Sequence, residues 1–88
     1  MKIDKKDFVR AGARTDVRPG EMLRAIRELQ EMTQEELARR TGISQSNISA
    51  LEKGTKRIGR ERALVLAKAL KVHPAVILFP DFDMRQVA

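Results

Sequence analysis

Gln45, Ser46, Ser49 and Ala50 offer an amide, two hydroxyls and a methyl in six residues, and no charged residue stands between Gly42 and Leu51. Such groups suit the edges of base pairs: Gln bonds adenine bidentately, Ser donates or accepts, and an Ala methyl packs on a thymine methyl. Asn47 belongs to the same stretch but is expected nearer the nucleic-acid backbone. Directly after it, residues 53–62 pack the five cations Lys53, Lys56, Arg57, Arg60 and Arg62 around the single acid Glu61. Lys53, Lys56 and Arg57 are the strongest candidates for phosphate contacts, which set register and affinity but carry no sequence information. The plainer reading of that run is a polar loop ahead of a helix.

Chemistry at this spacing needs a rigid support, and the flanking residues predict one. Thr33 followed three residues later by Glu36 forms a capping-box pattern, so a helix begins near Gln34 with Leu37 and Ala38 inward. Thr41-Gly42 stops it, since glycine accepts the left-handed conformation of a helix C-terminus. Ser44 caps a second helix and Gly54 ends it. Two helices joined by a short glycine-containing turn make a helix-turn-helix. At about 100° per residue, Ile48 and Leu51 point to the core, while Ser46, Ser49, Ala50 and Lys53 point away and Gln45 stands on the shoulder. An ordinary surface helix would carry Glu and Lys on that outward face.

The residues Arg27, Thr33-Gln34-Glu35-Glu36-Leu37-Ala38, Gly42-Ile43-Ser44, Ile48-Ser49, Leu51-Glu52-Lys53-Gly54 and Ala67-Lys68-Ala69-Leu70-Lys71-Val72 resemble the Cro/cI-like, or XRE-type, helix-turn-helix family of bacterial and phage repressors. The resemblance covers roughly residues 21 to 80. It implies an all-α, compact five-helix bundle of the lambda-repressor-like DNA-binding type, preceded here by an N-terminal arm. It implies sequence-specific binding of double-stranded DNA by a transcriptional regulator, foremost a homodimeric repressor on an inverted repeat. By the same resemblance Gln34 bonds a phosphate or braces Gln45, and Arg27 pairs with Glu52. The pairing is physically reasonable, because Glu52 flanks the second helix close to where the first must pass. Two alternatives keep the fold: an antitoxin that binds a toxin protein and represses its own operon, and a protein-interaction module without DNA binding.

The remaining chain divides into an arm of residues 1–18, a domain of 19–80 and a tail of 81–88. In the arm, Arg10, Arg14 and Arg18 could touch phosphates or a minor groove, Ile3, Phe8 and Val9 could dock on a partner, or the segment is a solvated terminus. Pro19-Gly20 marks the boundary, and from Glu21 the spacing of Met22, Ala25, Ile26, Leu29 and Met32 predicts an amphipathic first helix with those residues inward. Ile58 is expected to plug the core. A fourth helix runs from about Arg60 to Lys71 with Ala63, Leu64, Leu66, Ala67 and Leu70 inward. His73 and Pro74 open a short last helix. Val76, Ile77, Leu78 and Phe79, followed by Phe82 and Met84, cannot all face one side of it, so some of this surface leaves the core, either for a dimer contact or with Phe82 folding back over the domain.

Composition narrows the classes further. A formal net charge of +6 favours a polyanionic partner. Only three aromatics are present, all Phe, which disfavours single-strand binding on stacking platforms. Absence of Cys removes disulfides and thiolate metal sites. One His, no HExxH helix and no glycine-rich phosphate loop leave no enzyme site, and no cofactor or metal is implied. No apolar run is long enough for a signal peptide or a membrane span, so the expected location is the cytoplasm, at the nucleoid.

Overall fold

Proline at a first helical position is pre-set for helix and gives up only an N–H that would have no partner. The first helix accordingly starts at Pro19, and in the computed structural model, which describes residues 17–80, it runs as α1 over Pro19–Leu29. The carboxylate of Glu21 accepts the backbone N–H of Arg18 at 2.9 Å and closes its N-terminus. The helix thus begins earlier than Glu21, and Pro19-Gly20 is its first turn rather than a boundary ahead of it. Its buried face is Gly20, Leu23, Ile26 and Arg27. Of the predicted stripe, Ile26 and Met32 are in the core and Met22 is half-buried against it, whereas Ala25 is exposed and Leu29 is 84% exposed. The stripe was displaced because the true inner face contains a glycine and an arginine, which hydrophobicity alone assigns to solvent.

The two central helices follow their caps. Helix α2 spans Gln34–Thr41 and α3 spans Gln45–Lys53. Thr33 Oγ1 accepts the Glu36 N–H at 3.0 Å, and Ser44 Oγ accepts the Asn47 N–H at 3.2 Å. Only half of the capping box at Thr33 forms, because the Glu36 carboxylate turns to Arg40 one turn along. Gly42 and Gly54 hold φ of 80° and 83°, the left-handed region in which a Cβ would be strained.

Helix α4 covers Arg60–Leu70 and α5 covers Pro74–Leu78. His73 caps α5, its Nδ1 accepting the Ala75 N–H at 3.0 Å. Helix α1 packs on α3 and α5, α2 packs on α3 and α4, and α4 packs on α5, so all five enclose one core. That core holds Leu23, Leu37, Ile48, Leu51, Leu66, Leu70 and Ile77 with no exposed surface on any of them. Ala38 and Ile58 pack against it, half-buried. Leu64 departs from its expected inward place and is 50% exposed. It lies next to Ala63 on a helix whose buried stripe is Ala63, Leu66, Ala67 and Leu70, and a step of one residue turns the side chain by about 100°. Val76 and Phe79 are exposed while Ile77 is buried, so the last apolar run does leave the core on one side.

Helix α4 ends without a glycine. Lys71 occupies the left-handed C-terminal position at φ 59°. An L-residue there costs roughly 1–2 kcal/mol, partly offset for glycine by its greater unfolded-state entropy. Lys71→Gly should therefore raise stability by about 0.5–1 kcal/mol, read as a higher thermal midpoint; an unchanged or lower midpoint would contradict this.

Candidate nucleic-acid interface

The outward face of α3 is built from its cap downward. Ser44 fixes the first turn, and Gln45 and Ser46 are exposed on it, with Ser46 Oγ 3.3 Å from Ser44 Oγ. Ser49 and Ala50 continue that face half-buried, and Lys53 ends it exposed. On the opposite side Ile48 and Leu51 anchor the helix in the core with no exposed surface. An uncharged strip about two turns long is thereby held at the surface by a rigid inner face.

The loop after α3 returns to it. Thr55 Oγ1 donates to the Ala50 carbonyl at 3.1 Å, and the backbone N–H groups of Thr55 and Lys56 donate to the same oxygen at 3.0 and 3.3 Å. These bonds fold the loop under the end of the helix. Lys56 Nζ then donates to Asn47 Oδ1 at 2.6 Å, which places an ammonium and an amide side by side at the flank of α3. Arg57 is exposed next to them, and Arg60 is exposed at the start of α4. Asn47 thus stands with the cations and not on the strip of Gln45, Ser46 and Ser49. This pairing was not legible in the sequence, since nine positions separate Asn47 from Lys56.

What sets the angle of α3 is a buried polar cluster. Arg27 Nε donates to Glu52 Oε2 at 2.7 Å, and Arg27 Nη2 donates to Glu52 Oε1 at 3.1 Å, a bidentate pair joining α1 to α3. Arg27 Nη1 also donates to the Met32 carbonyl at 2.7 Å and so fastens the turn into α2. Gln34 Nε2 donates to Glu52 Oε1 at 3.0 Å. Helices α1, α2 and α3 therefore meet on one carboxylate. The hydrogen bonds to Glu52 raise the Arg27 pKa, burial opposes the rise, and the charges of Glu52 and Glu28 add to it. Among the described residues no buried side-chain polar atom lacks a partner.

The cluster gives Gln34 a partner that the sequence did not indicate, its amide nitrogen being bonded to Glu52. Its second amide hydrogen is left for another acceptor. Gly20 is the residue that sequence reasoning missed. A Cβ built on it would lie 2.2 Å from the Leu51 carbonyl oxygen and 2.8 Å from that of Glu52, so the backbones of α1 and α3 touch there. A helix-starting Pro followed by Gly was the available signal.

Among the described residues no group of acidic or histidine side chains could hold a metal ion, and no helix is long and apolar enough to cross a membrane. Arg18 is exposed at the start of α1. The other arm residues singled out above, Ile3, Phe8, Val9, Arg10 and Arg14, lie outside the described residues, as do Phe82 and Met84 in the tail.

Two curated proteins of Sinorhizobium fredii are similar to this chain. The uncharacterised HTH-type transcriptional regulator y4dL is 42% identical over 60 residues, which cover 68% of this chain and 30% of that protein. The uncharacterised HTH-type transcriptional regulator y4wC is 37% identical over 60 residues, covering 68% of this chain and 42% of that protein. The chain thus spans less than half the length of either relative. No solved structure matches it significantly. A helix-turn-helix family model matches residues 23–77, from the first core leucine of α1 to the last core isoleucine of α5. By that match across more than half of its length, the chain belongs to the Cro/cI-like (XRE-type) helix-turn-helix family.

Proposed function

We propose that this domain binds double-stranded DNA in a sequence-specific way and regulates transcription, as a dimeric repressor on an inverted repeat. The observation that carries the reading is the outward face of α3: an uncharged strip of Gln45, Ser46 and Ser49, beside the cations Lys53, Lys56 and Arg57 and locked by a buried ion pair. A major groove admits such a helix, its edges match these side chains, and its phosphates flank the cations. A protein groove would not require the cations. The two Sinorhizobium relatives carry transcriptional regulation in their names, which supports the same reading. A role at the nucleoid places the protein in the cytoplasm.

Each candidate residue then has a distinct part. Gln45, Ser46 and Ser49 meet base edges. Gln34 offers its second amide hydrogen to a phosphate, and Asn47 with Lys56 forms a two-donor clamp on another, with Lys53 and Arg57 on either side. Gln45→Ala should weaken binding to the preferred duplex by about 1–3 kcal/mol and leave random duplexes nearly unaffected. Equal loss on both duplexes would remove Gln45 from base reading. Lys56→Ala should weaken all duplexes alike and lower the salt slope by roughly one ion, as titrations across a salt series would show. Loss confined to the preferred duplex would instead make Lys56 a base contact.

One such domain makes few base contacts, so two copies are required on half-sites about 34–36 Å apart. The test is selection from a random duplex pool at about 0.15 M salt, where non-specific attraction is weaker. Enrichment of an inverted repeat with one-turn spacing supports a dimeric reader. Weak, salt-sensitive binding without enrichment rejects the reading, and a monomer both with and without DNA rejects the dimer.

A further inference from the structure

An open groove of about 540 Å³ lies between the start of α1, the end of α3, the loop after it and the end of α5. Pro19, Ile58 and Leu78 give it apolar walls, and the cationic residues Arg18, Lys56 and Arg57 also border it. Two of those cations are the phosphate contacts assigned above. The described chain ends at the same place: Phe79, 58% exposed, forms part of the groove wall, and Pro80 leads into Asp81-Phe82-Asp83-Met84.

We propose that the segment 81–88 occupies this groove in its own chain, setting Phe82 and Met84 against the apolar walls and Asp81 and Asp83 against Lys56 and Arg57. The segment leaves from the groove wall itself, and eight residues reach up to roughly 26 Å. A tether this short holds it at an effective concentration of about millimolar, which favours it over the same segment of a second copy. Charge separates it from residues 1–16, which precede Arg18 of the groove wall in the sequence. Residues 1–16 carry five cations against three acids, whereas 81–88 carry two acids against one Arg. An alternation of acid and apolar residues matches a groove of apolar walls and basic rim.

Occupancy has a regulatory consequence that rests on the DNA reading above. Carboxylates on Lys56 and Arg57 compete with phosphates for the same donors, so the tail lowers DNA affinity by the fraction of time it is docked. Docking for roughly two thirds to nine tenths of the time corresponds to an about three- to tenfold loss.

The test uses the full chain and Phe82→Ser, which leaves charge unchanged. In two-dimensional amide NMR without DNA, Phe82→Ser should shift the Gly54, Ile58 and Gly59 resonances, while Leu23 and Leu37 on the core side report an unchanged fold. In duplex binding at fixed salt it should raise affinity about three- to tenfold, and Asp81→Asn/Asp83→Asn should shift the same three amides. Unmoved groove amides in Phe82→Ser overturn the docking, even where the double Asn variant binds DNA more tightly through charge alone. Groove shifts that vanish on dilution of the wild-type chain also overturn it, in favour of a tail from a second copy. Shifted amides in a protein that binds no duplex uphold the docking and reject the DNA reading instead.

Discussion

Glu52→Ala should destabilise the domain by about 3–5 kcal/mol, the range for removing one partner of a buried ion pair. The loss has three parts. Arg27 would keep its charge while two of its hydrogen bonds, at 2.7 and 3.1 Å, lose their acceptor. The Gln34 amide would lose the bond that ties α2 to α3. A space would also open where the buried Glu52 side chain stood. Since small domains hold a net stability starting from about 5 kcal/mol, most of it would be gone. Urea unfolding should show a lower midpoint with little change in slope. Replacing both partners, Arg27→Met with Glu52→Leu, should recover much of the loss, because the cost lies in the stranded charge rather than in the absent pair. If the double variant is no more stable than Glu52→Ala, the pair itself supplies the stability and this account is wrong. The sign of the pH dependence follows from Arg27. A base whose pKa is raised on folding contributes fully below its unfolded pKa and loses that contribution only above the folded one. Both values lie beyond the mild alkaline range, so Arg27 adds no loss of stability between roughly pH 7 and 10.

Gly20→Ala should cost about 1–3 kcal/mol or more, through overpacking rather than through a cavity. The added methyl would sit 2.2 Å from the Leu51 carbonyl oxygen, a backbone atom inside α3 that has no rotamer to change. Either α1 moves off α3, which loosens Leu23 and Ile26 and stretches the Arg27–Glu52 pair, or α3 tilts. The second route predicts a functional signature. Specific duplex binding should fall further than random duplex binding, because base contacts depend on the angle of α3 while phosphate contacts are forgiving. Thermal unfolding and binding to both duplexes measure the two effects on one protein. A variant as stable as the wild type would mean that the helices separate without loss and that the close approach is incidental.

These two residues illustrate what was legible beforehand. The Arg27–Glu52 pair was available only through resemblance to a family, and the structure adds its bidentate geometry together with the bonds to Met32 and Gln34. Gly20 read as a boundary because glycine beside proline usually punctuates a chain, and its contact partners lie more than thirty positions away. The α1 stripe failed for a related reason. Met22, Ala25 and Leu29 satisfy helical periodicity as well as Gly20, Leu23 and Arg27 do, and only the neighbouring helices choose between them. Leu64 on α4 shows the same ambiguity. For the candidate site, the outward strip of α3 and the cations after it were read from residue type and spacing, whereas the Asn47–Lys56 contact depends on how the loop folds under the helix.

Local signals in the chain were enough for five helices and for most of their ends, Thr33, Ser44 and His73 at N-termini and Gly42 and Gly54 at C-termini, but not for the start of α1 at Pro19 or the left-handed Lys71 that closes α4. Those signals act over three or four residues, within reach of a side chain to its own backbone, so the local chain is enough to state them. Only packing chose which face of α1 and α4 is buried, joined Gln34 to Glu52, and opened a groove beside Lys56. Each depends on groups brought together from distant helices, where the gain from burial and ion pairing exists only once the helices have packed.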